Sequence, residues 1–408
     1  MKILKRMLKQ EKGSITMTVL ASMLFITTVL VVSYFSISNQ GSNQNRKIQQ
    51  ISKQYSVTDG ELEERYNQIS RQLDNTSYMQ INEIKRLGNI MLSKKTNTET
   101  VDTDGNRLVI PGGFKLSDEE NTDKVEEGLV IQDKDGNEFV WIPVGIPWKS
   151  DPSKTIELAR YEFKKADDET AGTILQTKTD GSELRQSREV VSYIEEETRE
   201  TGTKNAVAKN INDFIAKTNA AGGFWIGRYE ARTTSQTARS SETDPLTSVT
   251  EKPENAVYNY IKQTDASAKA RTMYEENNYF ESDLINSYAW DTAVLFLQEY
   301  DNRTYNKDTN SNYKAKYSNQ IRLSSGRKET GTNDSNIAEA NKDKICNVYD
   351  MADNCMEWTT ETCSVGSIPC VRRGGYYDNY SYYTSDRYCY DTTSANDSYS
   401  FRPVLYIK

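Results

Sequence analysis

The sequence of 408 residues contains no histidine. This absence excludes a Ser-His-Asp or Cys-His nucleophile pair, an imidazole general base and every metal site with a histidine ligand. Any catalysis must therefore use Cys, Asp, Glu, Tyr, Lys or Arg side chains. Hydrophobic residues make up only 36% of the chain, and the formal net charge is -8. Since an acidic chain without a basic face is unsuited to phosphate backbones, we expect no nucleic-acid partner.

Cysteine is scarce and confined to one end of the chain. The five cysteines all lie in the last 63 residues: Cys346, Cys355, Cys363, Cys370 and Cys389. None of them forms a CxxC pair, so a four-thiolate zinc site is not expected, and their odd number leaves at least one thiol without an internal partner. Cys363 and Cys370 flank the sequence SVGSIP, which is typical of a hairpin loop. We therefore predict a possible disulfide between Cys363 and Cys370.

Long apolar runs are absent except at the N-terminus. Residues 1–14 are basic, and residues 15–37 carry no charge and are long enough to cross a bilayer as one transmembrane helix. The basic flank predicts a cytoplasmic N-terminus and an extracellular C-terminal domain at the cell membrane. A pilin-like alternative places cleavage after Gly13, although Thr18 stands where prepilins usually have Glu. A cleaved secretory signal is less favoured, because no cleavage site follows Ile37.

The next segment is polar with a helical rhythm. Apolar residues recur at intervals of three and four in residues 38–95, which predicts a helical stalk, and residues 96–104 read as a linker. A solvated helical spacer explains the narrow apolar stripe better than a coiled coil, although self-association through the stalk is possible.

Residues 105–408 show short apolar runs separated by turns, which predicts an α+β domain. Two runs flank Asp135-Gly136-Asn137 and indicate a hairpin. A helix is predicted to stop at Gly222-Gly223, and another is predicted over SYAWDTAVLFLQEYDN. The charged residues 150–205 read as an insertion, and residues 301–345 read mostly as loop.

Several motifs then occur in one order: NEFVWIPV, GGFWIGRYEAR, YAWDTAVLFLQ, NVYDMADNCMEW, VRRGGYYDN and SFRP. In order and approximate spacing they resemble the formylglycine-generating enzyme family, also called the sulfatase-modifying factor family. The resemblance covers residues 108–408 and implies an irregular C-type lectin-like fold. It also implies an oxidase that converts a substrate cysteine to formylglycine with two active-site cysteines and copper.

The catalytic part of this resemblance fails. Arg402 and Arg387 match the two arginines of the family frame, which places the family cysteines at Asn379 and Thr384. Neither residue can supply the thiolate that binds copper(I) and exchanges with a substrate thiol. We therefore expect no copper and no enzymatic activity. Arg387, Arg402 and Trp358 are expected to be structural.

The resemblance also implies a structural calcium ion. Its side-chain ligands correspond to Asp350 and Glu357, and its main-chain carbonyl ligands belong to Asp353 and Cys355. Oxygen ligands of this kind suit calcium. Asp353 replaces the family's glycine, and Met356 replaces an aromatic residue. The alternative is that Asp350 caps a turn while Glu357 pairs with an arginine such as Arg373.

The C-terminal segment is rich in tyrosine and small polar residues. Residues 376–400 contain eight Tyr, five Ser, four Asp, three Thr and two Asn. Binding loops favour this composition, so we predict an extracellular carbohydrate or protein ligand. The predicted contact residues are Tyr376, Tyr377, Asp378, Asn379, Tyr380, Tyr382, Tyr383, Asp386, Tyr388 and Tyr390. Alternatively, these tyrosines pack a loop-rich domain. A third reading is diversification by a retroelement, because every residue type here is reachable from an asparagine codon by adenine changes.

Overall fold

The computed structural model describes residues 79–162, 173–174, 193–194, 204–235, 237–252, 255–300, 344–351, 354–363, 366–376, 384 and 387–408. These residues belong to one unit that runs from Tyr78 to Lys408. Within the described ranges most of the regular structure is strand, with few helices, so the fold is an irregular α+β arrangement rich in sheet.

The strands and helices are numbered in chain order over the described ranges. The strands are β1 (Met79–Gln80), β2 (Thr98–Val101), β3 (Arg107–Ile110), β4 (Phe114–Leu116), β5 (Val130–Asp133), β6 (Glu138–Pro143), β7 (Tyr161–Glu162), β8 (Thr173–Ile174), β9 (Tyr193–Ile194), β10 (Gly223–Gly227), β11 (Phe280–Leu284), β12 (Met356–Cys363), β13 (Cys370–Arg373), β14 (Arg387–Tyr390), β15 (Tyr399–Phe401) and β16 (Pro403–Ile407). The helices are α1 (Ile81–Leu87), α2 (Ile211–Ala221), α3 (Gln263–Thr272) and α4 (Ser287–Tyr300). Short 3-10 turns span Gly88–Ser93 and Val125–Glu127.

The larger sheet has six antiparallel strands in the order β11-β16-β10-β6-β5-β4. Strands β6 and β10 are buried along their whole length, which explains their nearly uninterrupted apolar sequences. Trp225 lies opposite Trp141 in their register, with 4.9 Å between the ring centroids. The centre of the hydrophobic core therefore sits on these two strands.

The smaller sheet carries the C-terminal motifs. Its strand order is β14-β13-β12-β15, and β9 pairs with the end of β12. Strands β12 and β15 run parallel, whereas β12, β13 and β14 are successively antiparallel. As a result, the residues before and after the tyrosine-rich loop lie on neighbouring strands.

The predicted hairpin and helix ends are present. Strands β5 and β6 pair across the turn that contains Gly136, whose φ is 89°. Helix α2 ends at Ala221, and Gly222 adopts a left-handed φ of 78° before β10 begins at Gly223. Glycine adopts such a conformation without the Cβ clash that other residues suffer. The glycines in the sequence are therefore sufficient to locate the hairpin turn and the end of helix α2.

Two hairpin turns have the same sequence pattern and the same hydrogen bonds. The sequences DTDGN and DKDGN begin at Asp102 and Asp133, and both aspartates are buried. Each carboxylate accepts hydrogen bonds from the backbone N–H groups two and four residues later, at 2.8–3.0 Å. Each also accepts the side-chain amide of the final asparagine, Asn106 at 3.2 Å and Asn137 at 2.7 Å. Because these bonds occupy the carboxylates, the turns are structural elements.

Replacing Asp133 with Ala is expected to lower the free energy of unfolding by about 1–2 kcal/mol, since buried N–H donors lose their acceptor. Asp102→Ala is expected to cost a similar amount because its contacts within the turn are the same and each carboxylate accepts one further hydrogen bond, from the Val125 N–H for Asp102 and from the Tyr274 hydroxyl for Asp133. Urea denaturation followed by tryptophan fluorescence measures both. Asp135→Ala is the matched control in the same turn: its carboxylate is exposed and pairs only with exposed Lys134, so we expect a change below about 0.5 kcal/mol. Equal losses for all three variants would contradict this assignment.

The predicted boundary between stalk, linker and domain is wrong. Residues 79–104 are part of the folded unit, since β1, β2 and β3 form a three-stranded sheet. The side chains of Ile81, Ile84 and Met91 join the main hydrophobic core. A seven-residue helix with few apolar positions has the same sequence pattern as a solvated stalk. Only the tertiary contacts show that its apolar positions are buried. The stalk predicted before residue 79 lies outside the described residues.

The predicted insertion also begins too early. Residues 151–162 belong to the fold: Ile156 and Tyr161 are fully buried in the core, and Arg160 is buried as well. The charged composition misled the prediction because Arg160 is an internal charge with an internal partner. Beyond residue 162, only β8, β9 and residues 204–205 of the predicted insertion are described, and β9 joins the smaller sheet.

No helix in the described ranges is both long and apolar enough to span a membrane. Residues 15–37 and Gly13 lie outside those ranges, so the transmembrane helix and the alternative cleavage remain predictions. Most of the loop predicted at residues 301–345 also lies outside them.

Candidate functional site: the C-terminal strands and the tyrosine-rich loop

A buried charge cluster, here called the arginine cluster, holds the C-terminal strands to helix α4. It consists of Arg160, Asp291, Glu361, Arg373 and Arg387, none of them more than 3% exposed. Arg373 reaches Asp291 at 2.5 Å and Glu361 at 3.2 Å. Arg387 pairs with the same two carboxylates, with 2.7 Å between its Nε and Glu361 Oε1. Arg160 Nη2 lies 2.7 Å from Glu361 Oε1.

The electrostatics of the arginine cluster favour ionised carboxylates. Burial alone would raise the pKa of Asp291, but Arg373 and Arg387 outweigh burial and lower it. Asp291 is on α4, whereas Glu361, Arg373 and Arg387 are on β12, β13 and β14. The cluster therefore fixes the strand that precedes the tyrosine-rich loop and the strand that follows it.

Arg402 is the second buried anchor. Its guanidinium donates to Glu357 at 2.6 Å and to the carbonyl oxygens of Gly227 and Tyr349, each at 2.8 Å. Trp358, which follows Glu357 in the sequence, is also buried, and its Nε1 donates to the Ile261 carbonyl at 2.8 Å. The alternative prediction that Glu357 pairs with an arginine is thus confirmed, but the partner is Arg402. Arg373 lies opposite Glu357 in the strand register and pairs instead with Asp291 and Glu361.

Two of the four residues predicted to ligate calcium, Glu357 and Cys355, have described protein contacts. Burial raises the pKa of Glu357 to about 7, although Arg402 opposes this effect. The Cys355 N–H donates to Glu230 at 2.8 Å, a contact that the sequence did not indicate. Among the described residues, no group of three or more acidic or cysteine side chains could hold a metal ion. Asp353 lies outside the described residues. The calcium site, with Asp350 as one of its ligands, therefore remains a prediction.

The predicted disulfide is wrong. Cys363 pairs with Cys389, with 5.9 Å between the Cα atoms. Cys370 lies opposite Thr362 and Tyr390 in the strand registers. Since side chains alternate between the faces of a strand, Cys363 and Cys389 project from one face and Cys370 from the other.

The remaining thiols are buried. Cys346, Cys355 and Cys370 each lie in the interior. Burial raises the pKa of Cys370 to about 12, so this thiol is almost entirely protonated at neutral pH. All five cysteines are described, and the two positions that the sequence resemblance assigns to reactive thiols are occupied by Asn379 and Thr384.

Thr384 is fully buried, and its carbonyl oxygen accepts a hydrogen bond of 2.9 Å from Trp290 Nε1. The backbone of Thr384 is thereby tied to helix α4. Asn379 lies outside the described residues.

Three of the ten predicted contact residues are described: Tyr376, Tyr388 and Tyr390, all half-buried. Tyr390 stacks on a residue that sequence reasoning missed, Arg372, whose guanidinium carbon lies 3.6 Å from the ring centroid. The seven contact residues outside the described ranges are Tyr377, Asp378, Asn379, Tyr380, Tyr382, Tyr383 and Asp386.

The structure therefore defines an irregular, sheet-rich α+β protein in which the two strands that flank a tyrosine-rich sequence are both anchored. No family model matches the chain, and no curated protein matches it. Among solved structures, it is similar to "CarF", with 16% identity over 38% of this chain and 69% of that one, at a TM-score of 0.27. "Treponema denticola variable protein 1" shows 14% identity over 45% and 84%, at 0.29. "PvdO from Pseudomonas aeruginosa" shows 12% over 68% and 98%, at 0.28. Similarity this weak carries no argument about function.

Proposed function

We propose that this chain is a membrane-anchored extracellular ligand-binding protein, built on a catalytically inactive scaffold like that of the formylglycine-generating enzymes. Its contact surface is the tyrosine segment, residues 376–390. The ligand is a carbohydrate or a protein. The anchor is the uncharged run at residues 15–37, and the scaffold assignment rests on the ordered sequence motifs.

The observation that carries this proposal is the buried anchoring of the two strands, β13 and β14, that flank residues 377–386. Strand β13 leads into the segment and β14 ends it, and both strands contribute arginines to the buried arginine cluster. The disulfide from Cys389 to Cys363 adds a covalent tie from β14 to β12. A loop held at both ends by a rigid scaffold is where proteins commonly place recognition residues.

The chemistry of the segment supports recognition over catalysis. Tyr376, Tyr388 and Tyr390 are each half-buried, so each offers a held ring with an accessible part. Thr384 stands where the resemblance requires a reactive thiol, and the chain has no histidine to activate another nucleophile. The buried thiols and the disulfide also lack the exposed thiolate character that copper binding and thiol exchange require.

The test is a binding screen with matched tyrosine variants. We expect the full-length chain, purified in detergent, to retain a ligand on an array of glycans and secreted proteins. Replacing Tyr376, Tyr380, Tyr383 and Tyr388 together with Ser is expected to weaken that binding by more than about tenfold, because tyrosine anchors dominate such contacts. Tyr279→Ser is the control, since this half-buried tyrosine lies next to β11 in the larger sheet.

Two results would overturn the proposal. One is unchanged binding by the fourfold variant when its circular dichroism spectrum matches that of the unmodified protein. The other is formation of formylglycine when the protein is incubated with copper and a cysteine-containing sulfatase peptide, because that product would make the chain an oxidase.

A further inference from the structure

Arg372 is a buried cation surrounded by aromatic rings. It is 3% exposed, and its guanidinium carbon lies 3.6 Å from the ring centroid of Tyr390 and 3.7 Å from that of Tyr399. The ring of Trp358 is 5.6 Å away. Within the described residues, Arg372 Nε has no hydrogen-bond partner and no carboxylate forms an ion pair with this side chain, although the side chain also hydrogen-bonds Tyr390 and Tyr399.

The neighbouring arginine, by contrast, has carboxylate partners that neutralise its charge. Arg373 follows Arg372 on β13, so its side chain projects from the opposite face of the sheet. There Arg373 contacts both Asp291 and Glu361. Arg372 faces the aromatic side, where Tyr388 lies opposite it in the register.

Aromatic rings only partly offset the burial of a cation. Ring faces attract a guanidinium, but burial lowers the pKa of Arg372 because the charged form loses its water. Removing a cation from water is favourable only when an anion or several hydrogen-bond acceptors replace the water. The positive charge of Arg372 therefore lacks an anionic partner within the described part of the protein.

The position of Arg372 connects this missing partner to the contact surface. Tyr390 covers the guanidinium and is half-buried, and Tyr388 on the same edge strand is half-buried too. A ligand that contacts Tyr390 is therefore close to the guanidinium that this ring covers. Among the described cations without a carboxylate partner, Arg372 is the one nearest in sequence to the tyrosine segment.

We propose that Arg372 binds an oxyanion, carboxylate or sulfate, carried by an acidic saccharide. This inference rests on the proposed function and specifies the ligand. Guanidinium groups bind oxyanions through two parallel hydrogen bonds. The guanidinium is recessed, so it suits a small charged group attached directly to a sugar ring that stacks on the tyrosines. A flat protein surface would be held away by the ring of Tyr390.

The first measurement compares ligands that differ only in charge. The full-length chain in detergent is tested by calorimetry with an oligogalacturonate and its methyl ester, and with a keratan sulfate oligosaccharide and its desulfated form, which carries no carboxylate. We expect at least one acidic member to bind more than about tenfold more tightly than its neutral counterpart. The pair that shows the difference identifies carboxylate or sulfate as the source of the oxyanion.

The second measurement separates recognition from structural support. Arg372→Met is expected to lose the preference for the acidic member of the pair without a fall in the unfolding midpoint, because a buried cation is replaced by an apolar chain of similar length. Arg372→Lys keeps the charge but loses the planar fork, so it should retain part of the preference and its salt dependence. If Arg372 were only packing, Arg372→Met would lower the midpoint and leave the preference unchanged.

Other outcomes distinguish this inference from the proposed function. If the chain binds neutral glycans or proteins with no preference for the acidic partner, the proposed function stands and the role of Arg372 is overturned. Tighter binding of a poly-glutamate peptide than of any acidic saccharide would overturn the saccharide assignment. If no ligand of any class binds, both proposals fail.

Discussion

Replacing Asp291 with Asn is expected to lower the free energy of unfolding by about 3–5 kcal/mol, enough to unfold a marginally stable domain. Asp291 is fully buried and contacts both Arg373 and Arg387. Asn has nearly the same shape, so the loss is electrostatic. Without this carboxylate, Glu361 is the one described acid left to face three buried guanidiniums.

Urea denaturation followed by tryptophan fluorescence measures this loss. The control is Asp213→Asn on helix α2, where the carboxylate pairs with Lys217 at 3.4 Å and about a third of each side chain is exposed. We expect the control to change stability by less than about 1 kcal/mol. A similar small effect for Asp291→Asn would show that the arginine cluster does not support the C-terminal strands.

Acid provides an independent check on the same carboxylate. Burial would raise the pKa of Asp291, but Arg373 and Arg387 outweigh it, so the folded-state pKa lies below the ordinary value of 3.8. A depressed folded-state pKa means that the stabilisation is fully present above pH 3.8 and disappears as the pH falls through the folded value. The stability difference between the unmodified protein and Asp291→Asn should therefore shrink as the solution is acidified below pH 3.8.

Local sequence was sufficient for features that depend on neighbouring residues. Gly136 marks a hairpin turn, and Gly222 ends helix α2, because each conformation is set within a few residues. The apolar pattern of helix α4 was equally clear, and the structure buries nearly all of that helix. In each case the determining residues are adjacent along the chain.

Sequence was insufficient where partners are distant. Asp291 meets Arg373 and Arg387 across 82 and 96 residues, and Arg160 meets Glu361 across 201. No periodic pattern links such positions, so the sequence predicted a structural role for Arg387 without indicating its partners. Arg372 was missed for the same reason: its aromatic partners lie on other strands, and only the strand register brings them together.

Strand parity explains the error in the disulfide. The hairpin between Cys363 and Cys370 is present, since β12 and β13 pair across that loop. Sequence proximity nevertheless placed the two thiols together, whereas the register points them to opposite faces. A shift of one residue along a strand reverses the face of every side chain, and the loop sequence does not reveal that shift.

Breaking the Cys363–Cys389 disulfide is expected to cost about 3 kcal/mol, because the cross-link limits the unfolded chain over a separation of 26 residues. Cys389→Ala should therefore lower the unfolding midpoint, and dithiothreitol should lower that of the unmodified protein while leaving the variant unchanged. Cys370→Ala is the decisive control, since Cys370 lies one strand away but outside the disulfide. That variant should remain sensitive to dithiothreitol.

Non-reducing peptide mapping identifies the linked cysteines directly. We expect a linked peptide that contains Cys363 and Cys389, and we expect it to persist in Cys370→Ala. A linked Cys363–Cys370 peptide would restore the pairing predicted from the sequence and leave β14 without its covalent tie. In that case the C-terminal end of the tyrosine segment would depend on Arg387 alone among the anchors described here. The binding screen and the disulfide map thus test the same requirement, a segment held firmly at both ends, from two directions.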